Sequence, residues 1–310
     1  MSVAFVFPGQ GSQVPGMLHH LPDDPVVAGT LDEISNVLHS DVRNFDSEQC
    51  LKSDVSVQIA LLTAGVATAR TLMEKGVQPA AVAGLSVGAF AAAVVAGVLV
   101  LRDAVELVRL RAEQMIKLYP TGFGLSAIMG LSESKVAAIV EDVKSDKAPV
   151  FVGNINAPRQ IVIAGANAAM DRVLDRARRQ GASKALRLHV SVPSHCALLQ
   201  PVADLLTRQM ASLNLRAPQF TYVGNVNGRA MYTKEAIASD LANNIAHGVR
   251  WYDATVIIKE LGCNLFLEMP PGHILSDLAR ENLSDVNSVP INSAVLPKAL
   301  RLARLEDTAT

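Results

Sequence analysis

The sequence predicts an α/β fold with a largely parallel sheet, interrupted by a small β-α-β-β-α-β insert. Two observations carry the first part. Short apolar runs at residues 3–7, 80–84 and 264–268 each end in a Gly- or Pro-containing turn, as buried strands do. Helical stretches alternate with them, and that alternation defines an α/β fold. The third observation is a change of rhythm from residue 124, where short strands and two helices follow in β-α-β-β-α-β order.

Each element has a local reason. Residues 3–7 (VAFVF) run straight into PGQGSQ, a strand followed by a tight loop. Residues 54–75 have helical periodicity, with Ser53 or Asp54 as a cap and Gly76 as a stop. AAVAG at 80–84 is the next strand. Residues 86–96 are small and apolar on every face, so they form a buried helix ended by Gly97. A third helix covers 102–118, closed by Pro120 and Gly122. In the insert, strands are expected at 125–129, 150–155, 160–164 and 184–190, with helices at 132–144 and 167–180. A helix at 198–213 and strands at 219–223 and 264–268 resume the large domain, the last ending in a PPGH turn. The expected division is 1–122 with 191–310 as the large domain and 123–190 as a ferredoxin-like insert.

Composition excludes several classes. With 310 residues, half of them apolar, the chain can bury a sizeable core. A net charge of -1 attracts neither nucleic acid nor an acidic membrane, and 4% aromatics supply few base-stacking platforms. Cys50, Cys196 and Cys263 are odd in number and far apart, so neither a disulfide framework nor a metal site is expected. The N-terminus lacks a basic signal-peptide region. Residues 76–101 carry no charge, but Pro79, Gly84, Ser86 and Gly88 break them into strand, turn and core helix rather than a span. The expectation is a soluble, cytoplasmic protein.

The chemistry centres on Gly84-Leu85-Ser86-Val87-Gly88, a G-x-S-x-G between a strand and a helix. A sharp strand-to-helix turn exposes such a serine at a helix N-terminus, where backbone N–H groups favour negative charge. The large domain is accordingly α/β-hydrolase-like. A serine nucleophile needs a base, and seven histidines are available. His195 follows a strand in a Pro-containing turn. His273, in the PPGH turn, fits the hydrolase chain order of Ser, Asp, His better. Pattern alone leaves both open, and it does not rank Arg109 against Arg111 or against a plain surface helix charge.

The ordered set F-P-G-Q-G-S-Q (7–13), G-L-S-V-G (84–88), R-L-R-A-E-Q-M (109–115) and S-V-P-S-H-C-A-L (191–198) resembles malonyl-CoA:acyl-carrier-protein transacylases. N-x-x-x-x-V-R-W at 244–251 and F-L-E-M-P-P-G-H at 266–273 extend the resemblance over nearly the whole chain. It implies a ping-pong malonyl transfer through a serine ester. Ser86 is then the nucleophile and His195 the base and acid, oriented by a backbone carbonyl rather than a third acid. Arg111 grips the malonate carboxylate, since a planar guanidinium suits a carboxylate bidentately. Gln10 and Val87 offer backbone N–H groups to an oxyanion hole, flanked by Gly84 and Gly88. Asn244 stands where the family usually has Gln, and either can hold the histidine or the acyl carboxylate. The implied substrates are malonyl-CoA and the phosphopantetheine-type thiol of an acyl carrier protein, with no bound cofactor.

The elbow departs from the family's usual G-H-S-L-G-E, with Leu85 and Ala89 in place of its His and Glu. G-L-S-V-G-A-F resembles most the epsilon subunit of malonate decarboxylase. That likeness implies malonyl/acetyl exchange on a carrier bearing a dephospho-CoA-derived thiol, alongside other decarboxylase subunits. A fatty-acid-synthesis transacylase is the alternative. A serine thioesterase built on His273 and a non-enzymatic scaffold are the readings from other classes. Arg172, Arg176, Arg178, Arg179, Lys184 and Arg187 are either a docking patch for an acidic carrier or a solvated face balanced by Asp171 and Asp175; the second is simpler. Cys196 reads as a small buried residue, and Gln10-Gly11-Ser12 lacks the lysine of a phosphate loop.

Overall fold

β1 (Ser2–Phe7) is buried on both faces, which is why it reads as an unbroken apolar run. The computed structural model describes residues 2–308. β1 lies at the centre of a six-stranded sheet. On one side it pairs in parallel with β2 (Ala81–Gly84), which pairs with β7 (Thr221–Val223). On the other it pairs in parallel with β9 (Cys263–Glu268), followed by β10 (Asn287–Pro290). The short β8 (Ala230–Met231) adds an antiparallel edge beside β7. The sheet order is β10-β9-β1-β2-β7-β8. The α/β fold with a parallel sheet is therefore present.

Helices cover the sheet. α1 (Pro25–Leu38), α2 (Asp54–Glu74), α3 (Gly88–Val95), α4 (Leu101–Leu118) and α7 (Gln200–Ala211) join the main apolar core with β1 and β2. α9 (Trp251–Glu260) and α10 (Ile274–Asn282) pack on the opposite face, against Ala4, Val6 and Phe266. α8 (Lys234–Asn243) lies beside α7, and α11 (Leu296–Thr308) closes the chain. By length and composition α2 could cross a membrane, but most of it is buried inside the fold.

The insert-like segment forms a second sheet in the order β4-β5-β3-β6, wholly antiparallel. Its elements are β3 (Phe123–Met129), α5 (Glu133–Val143), β4 (Val150–Ala157), β5 (Gln160–Ala166), α6 (Asn167–Arg179) and β6 (Lys184–Arg187). It has its own core around Ile128, Val140, Ile161 and Val173. It touches the large sheet's segment through Ile155 N–H to Val249 C=O at 2.8 Å and Val249 N–H to Gly153 C=O at 3.1 Å.

Several expected boundaries are corrected. The helix expected from Ser86 starts at Gly88, because residues 85–87 form the turn itself. The strand expected to reach Val190 stops at Arg187. The helix expected over 198–213 splits into a short 3₁₀ turn, Ala197–Leu199, and α7. α1, α8, α9, α10, α11, β8 and β10 are additional.

Candidate active site

The elbow is built by close backbone approach. β2 ends at Gly84, and Leu85 N–H bonds Phe7 C=O at 2.9 Å. A Cβ on Gly84 would lie 2.0 Å from the Gly88 carbonyl carbon, and one on Gly88 only 2.2 Å from Phe7 O. Only glycine fits at either position. Between them Ser86 adopts φ +57°, a left-handed conformation that a serine holds only when its surroundings dictate it. The result is a buried serine whose Oγ has two partners.

The first is His195. It too has positive φ (+65°), and its N–H bonds Ile245 C=O at 2.8 Å. Its Nδ1 donates to the Asn244 carbonyl at 2.6 Å, which fixes the tautomer and leaves Nε2 as an acceptor. Ser86 Oγ donates to that Nε2 at 2.8 Å. Burial, with the nearby Arg111 charge, holds the imidazole down to about 3. It is neutral at pH 7 and free to take a proton.

The second is Arg111, which α4 carries into the core at 1% exposure. Its Nη1 donates to Gln58 Oε1 at 2.6 Å and its Nη2 to Ser86 Oγ at 3.1 Å. Nε is buried without a partner. Burial lowers this guanidinium to about 9, partly offset by Asp54, so it is charged at neutral pH. The surface-charge reading of Arg111 is thereby excluded, whereas Arg109 lies exposed in an i,i+4 pair with Glu113.

The loop after β1 sits against the elbow. A Cβ on Gly9 would be 2.7 Å from Leu85 O. The Gln10 side chain donates to Asp54 at the start of α2. Among the described residues the Gln10 and Val87 backbone N–H groups have no hydrogen-bond acceptor. Asn244 meets His195 through its backbone carbonyl, so the residue type there matters little for that contact. Its Nδ2 reaches Ser86 C=O only at 3.5 Å, and its Oδ1 is buried and unpartnered.

Other candidates fall away. His273 is exposed and pairs with Asp277 at 2.6 Å, so it does not serve Ser86. Burial pushes the Cys196 thiol up to about 12, leaving it inert. In the basic stretch Arg176, Arg178 and Arg187 pair with Asp142, Asp175 and Asp171, as a solvated face does. Sequence reasoning missed Gln58, Asn225 and Asp54. Gln58 had a signal, being a polar residue inside the apolar run of α2 that the structure buries completely. Asn225 and Asp54 had none, because their partners are remote in sequence.

A serine hydroxyl at a strand-to-helix elbow, bonded to a neutral imidazole and to a buried cation, is an arrangement capable of serine acyl transfer. The acyl transferase domain family matches residues 4–301, and the chain belongs to that family. It is an acyltransferase. It is 36% identical over 306 residues to the malonyl CoA-acyl carrier protein transacylase of Salmonella typhimurium, covering 97% of this chain and 98% of that one. The Escherichia coli protein of the same name is 35% identical over the same coverage. The crystal structure of an acyl-carrier-protein S-malonyltransferase from Burkholderia pseudomallei superposes with TM-score 0.92 at 36% identity, covering 97% of this chain and all of that one. A chain of the structure of a type II PKS acyl-carrier protein in complex with its malonyl-transacylase also matches, with TM-score 0.92, 37% identity and coverage of 97% of this chain and 99% of that one.

Proposed function

We propose that this chain transfers malonyl groups from CoA to the phosphopantetheine thiol of an acyl carrier protein. The observation that carries the reading is Arg111. A fully buried guanidinium beside Ser86 Oγ, with an unpartnered Nε, has a ligand to find. Nε–H and Nη2–H lie on one edge of the guanidinium and match a carboxylate bidentately. Malonyl carries such a carboxylate and acetyl does not. The names of the relatives support the same substrate.

The steps use the groups present. Ser86 Oγ attacks the thioester carbonyl as His195 Nε2 takes its proton. The developing oxyanion takes the Gln10 and Val87 N–H groups. The intermediate collapses, the C–S bond breaks, and His195 returns its proton to the departing CoA sulfur. Malonyl-Ser86 remains, its carboxylate on Arg111. The carrier thiol then gives its proton to His195 and attacks the ester, and Ser86 recovers the proton as it leaves.

A finer reading rests on the elbow. Leu85 packs with the Ala4 and Val6 cluster, and Ala89 is completely buried, so the nucleophile has apolar neighbours. This supports service to a malonate decarboxylase carrier with a dephospho-CoA-derived thiol; the names of the relatives favour the transacylase reading over it. Both place the chain with CoA and a carrier in the cytoplasm. Intact-protein mass after malonyl-CoA, acetyl-CoA and Ser86→Ala controls tests the shared step. A malonyl adduct absent in Ser86→Ala and weak with acetyl-CoA is expected; free malonate without an adduct would point to a hydrolase. Transfer to carriers bearing each thiol then separates the two readings.

A further inference from the structure

Behind the elbow, the main chain around Ser86 is bonded by a side chain remote in sequence. The β2–β7 ladder pairs Ala81 with Thr221, Val82 with Tyr222 and Ala83 with Val223, and then β7 ends. The next groups of β2 facing that side are Gly84 C=O and Ser86 N–H, and no strand is left to meet them. The Asn225 side chain does. Its Nδ2 donates to Gly84 C=O at 2.8 Å and its Oδ1 accepts from Ser86 N–H at 2.9 Å. A carboxamide offers the same donor and acceptor as a peptide group, so one side chain supplies the missing rung across the turn.

Asn225 is itself fixed. It is 2% exposed, and its N–H donates to Asp240 on α8 at 2.9 and 3.0 Å. Val226 N–H (2.9 Å) and Tyr222 Oη–H (3.3 Å) also donate to that carboxylate. Asn225 C=O accepts from Arg250 N–H at 2.8 Å. The buried pair Asp240–Asn225 thus ties the elbow to α8 and to the start of α9. It also consumes the Ser86 N–H, which leaves Val87 N–H as the elbow's oxyanion donor.

We propose that Asn225 is a positioning residue that holds Ser86 at positive φ and so aims Oγ at His195, with Asp240 as its anchor. The inference deepens the acyl-transfer reading and rests on Ser86 being the nucleophile.

The test is the rate at which a fluorophosphonate labels Ser86. In that reaction an Oγ–P bond forms, fluoride leaves and the hydroxyl proton passes to His195, with no malonyl recognition. Asn225→Ala loses both bonds and labels on the order of 10²-fold more slowly, the cost of misplacing a reacting group. Asn225→Asp keeps the shape and the acceptor for Ser86 N–H, and its folding is checked by its thermal melt. As a carboxylate it repels Gly84 C=O; once protonated it donates to it. Its labelling therefore rises about tenfold as pH falls from about 8 to about 5, as a buried carboxyl regains its proton. The titratable groups around position 225 are Asp240, Tyr222 and, across Ser86, His195 and Arg111; all four remain in wild type and Asn225→Ala, which show no such rise. Unchanged labelling in Asn225→Ala, or no acid rescue in folded Asn225→Asp, overturns the inference. If wild-type Ser86 labels normally but takes no malonyl from malonyl-CoA, the substrate reading fails instead, and the labelling rates still decide the role of Asn225.

Discussion

Replacing Arg111 by methionine should weaken malonyl transfer and stabilise the fold at once. The guanidinium is fully buried with no carboxylate bonded to it, and burial brings it from 12.5 to about 9. At about 1.4 kcal/mol per unit that shift corresponds to a penalty of roughly 5 kcal/mol at pH 7, where both folded and unfolded states are protonated and the full cost is present. Stability from this group rises only above about pH 9, where the folded state sheds the proton first. Methionine removes the charge at similar volume but orphans Gln58 Oε1, which costs about 1–3 kcal/mol. A net gain of about 2–4 kcal/mol, read as a Tm several degrees higher, is expected. Meanwhile the malonyl carboxylate would be buried without its partner, a loss of about 3–5 kcal/mol. That is a fall in kcat/KM on the order of 10²–10⁴-fold for malonyl-CoA. Acetyl-CoA has no carboxylate to lose. The assay is acylation kinetics of both thioesters with a thermal melt of the variant. Nη2 also touches Ser86 Oγ, so the rival is that Arg111 merely positions the serine. An equal fall for both donors would establish that rival and refute carboxylate recognition.

The remaining expectations concern the same site. His195→Ala should slow the acylation burst on the order of 10²–10⁴-fold, with ground-state binding of malonyl-CoA by calorimetry unchanged. With His195 held near 3, kcat/KM for malonyl-CoA stays level through the usual histidine range and declines only as pH falls toward about 3. Above about pH 9 Arg111 loses its charge, and the malonyl-over-acetyl preference should collapse there in a pH series with both donors. Gly88→Ala places a methyl 2.2 Å from Phe7 O and should lower both Tm and serine labelling; normal values for both would contradict the elbow geometry. His273→Ala should leave acylation unchanged, since that ring is exposed and paired with Asp277.

The sequence by itself determined the fold class and the local chemistry. An apolar run such as VAFVF buries both faces whatever surrounds it, and Gly84 and Gly88 mark a turn too tight for any side chain. Tertiary structure decided which distant groups meet Ser86. By chain order alone His273 fits better than His195; the family resemblance selects His195, and the fold puts that ring on Ser86 and His273 on the surface. Pattern does not rank Arg109 against Arg111; the resemblance selects Arg111, and the packing of α4 turns Arg111 inside and Arg109 outside. Gln58, a polar residue in the apolar run of α2, is marked along the chain but its partner Arg111, 53 residues away, is not, and Asn225, 139 residues from Ser86, is not marked at all. Hydrogen bonds and buried charge depend on distance in space, and periodicity along the chain records only which face of an element is turned inward.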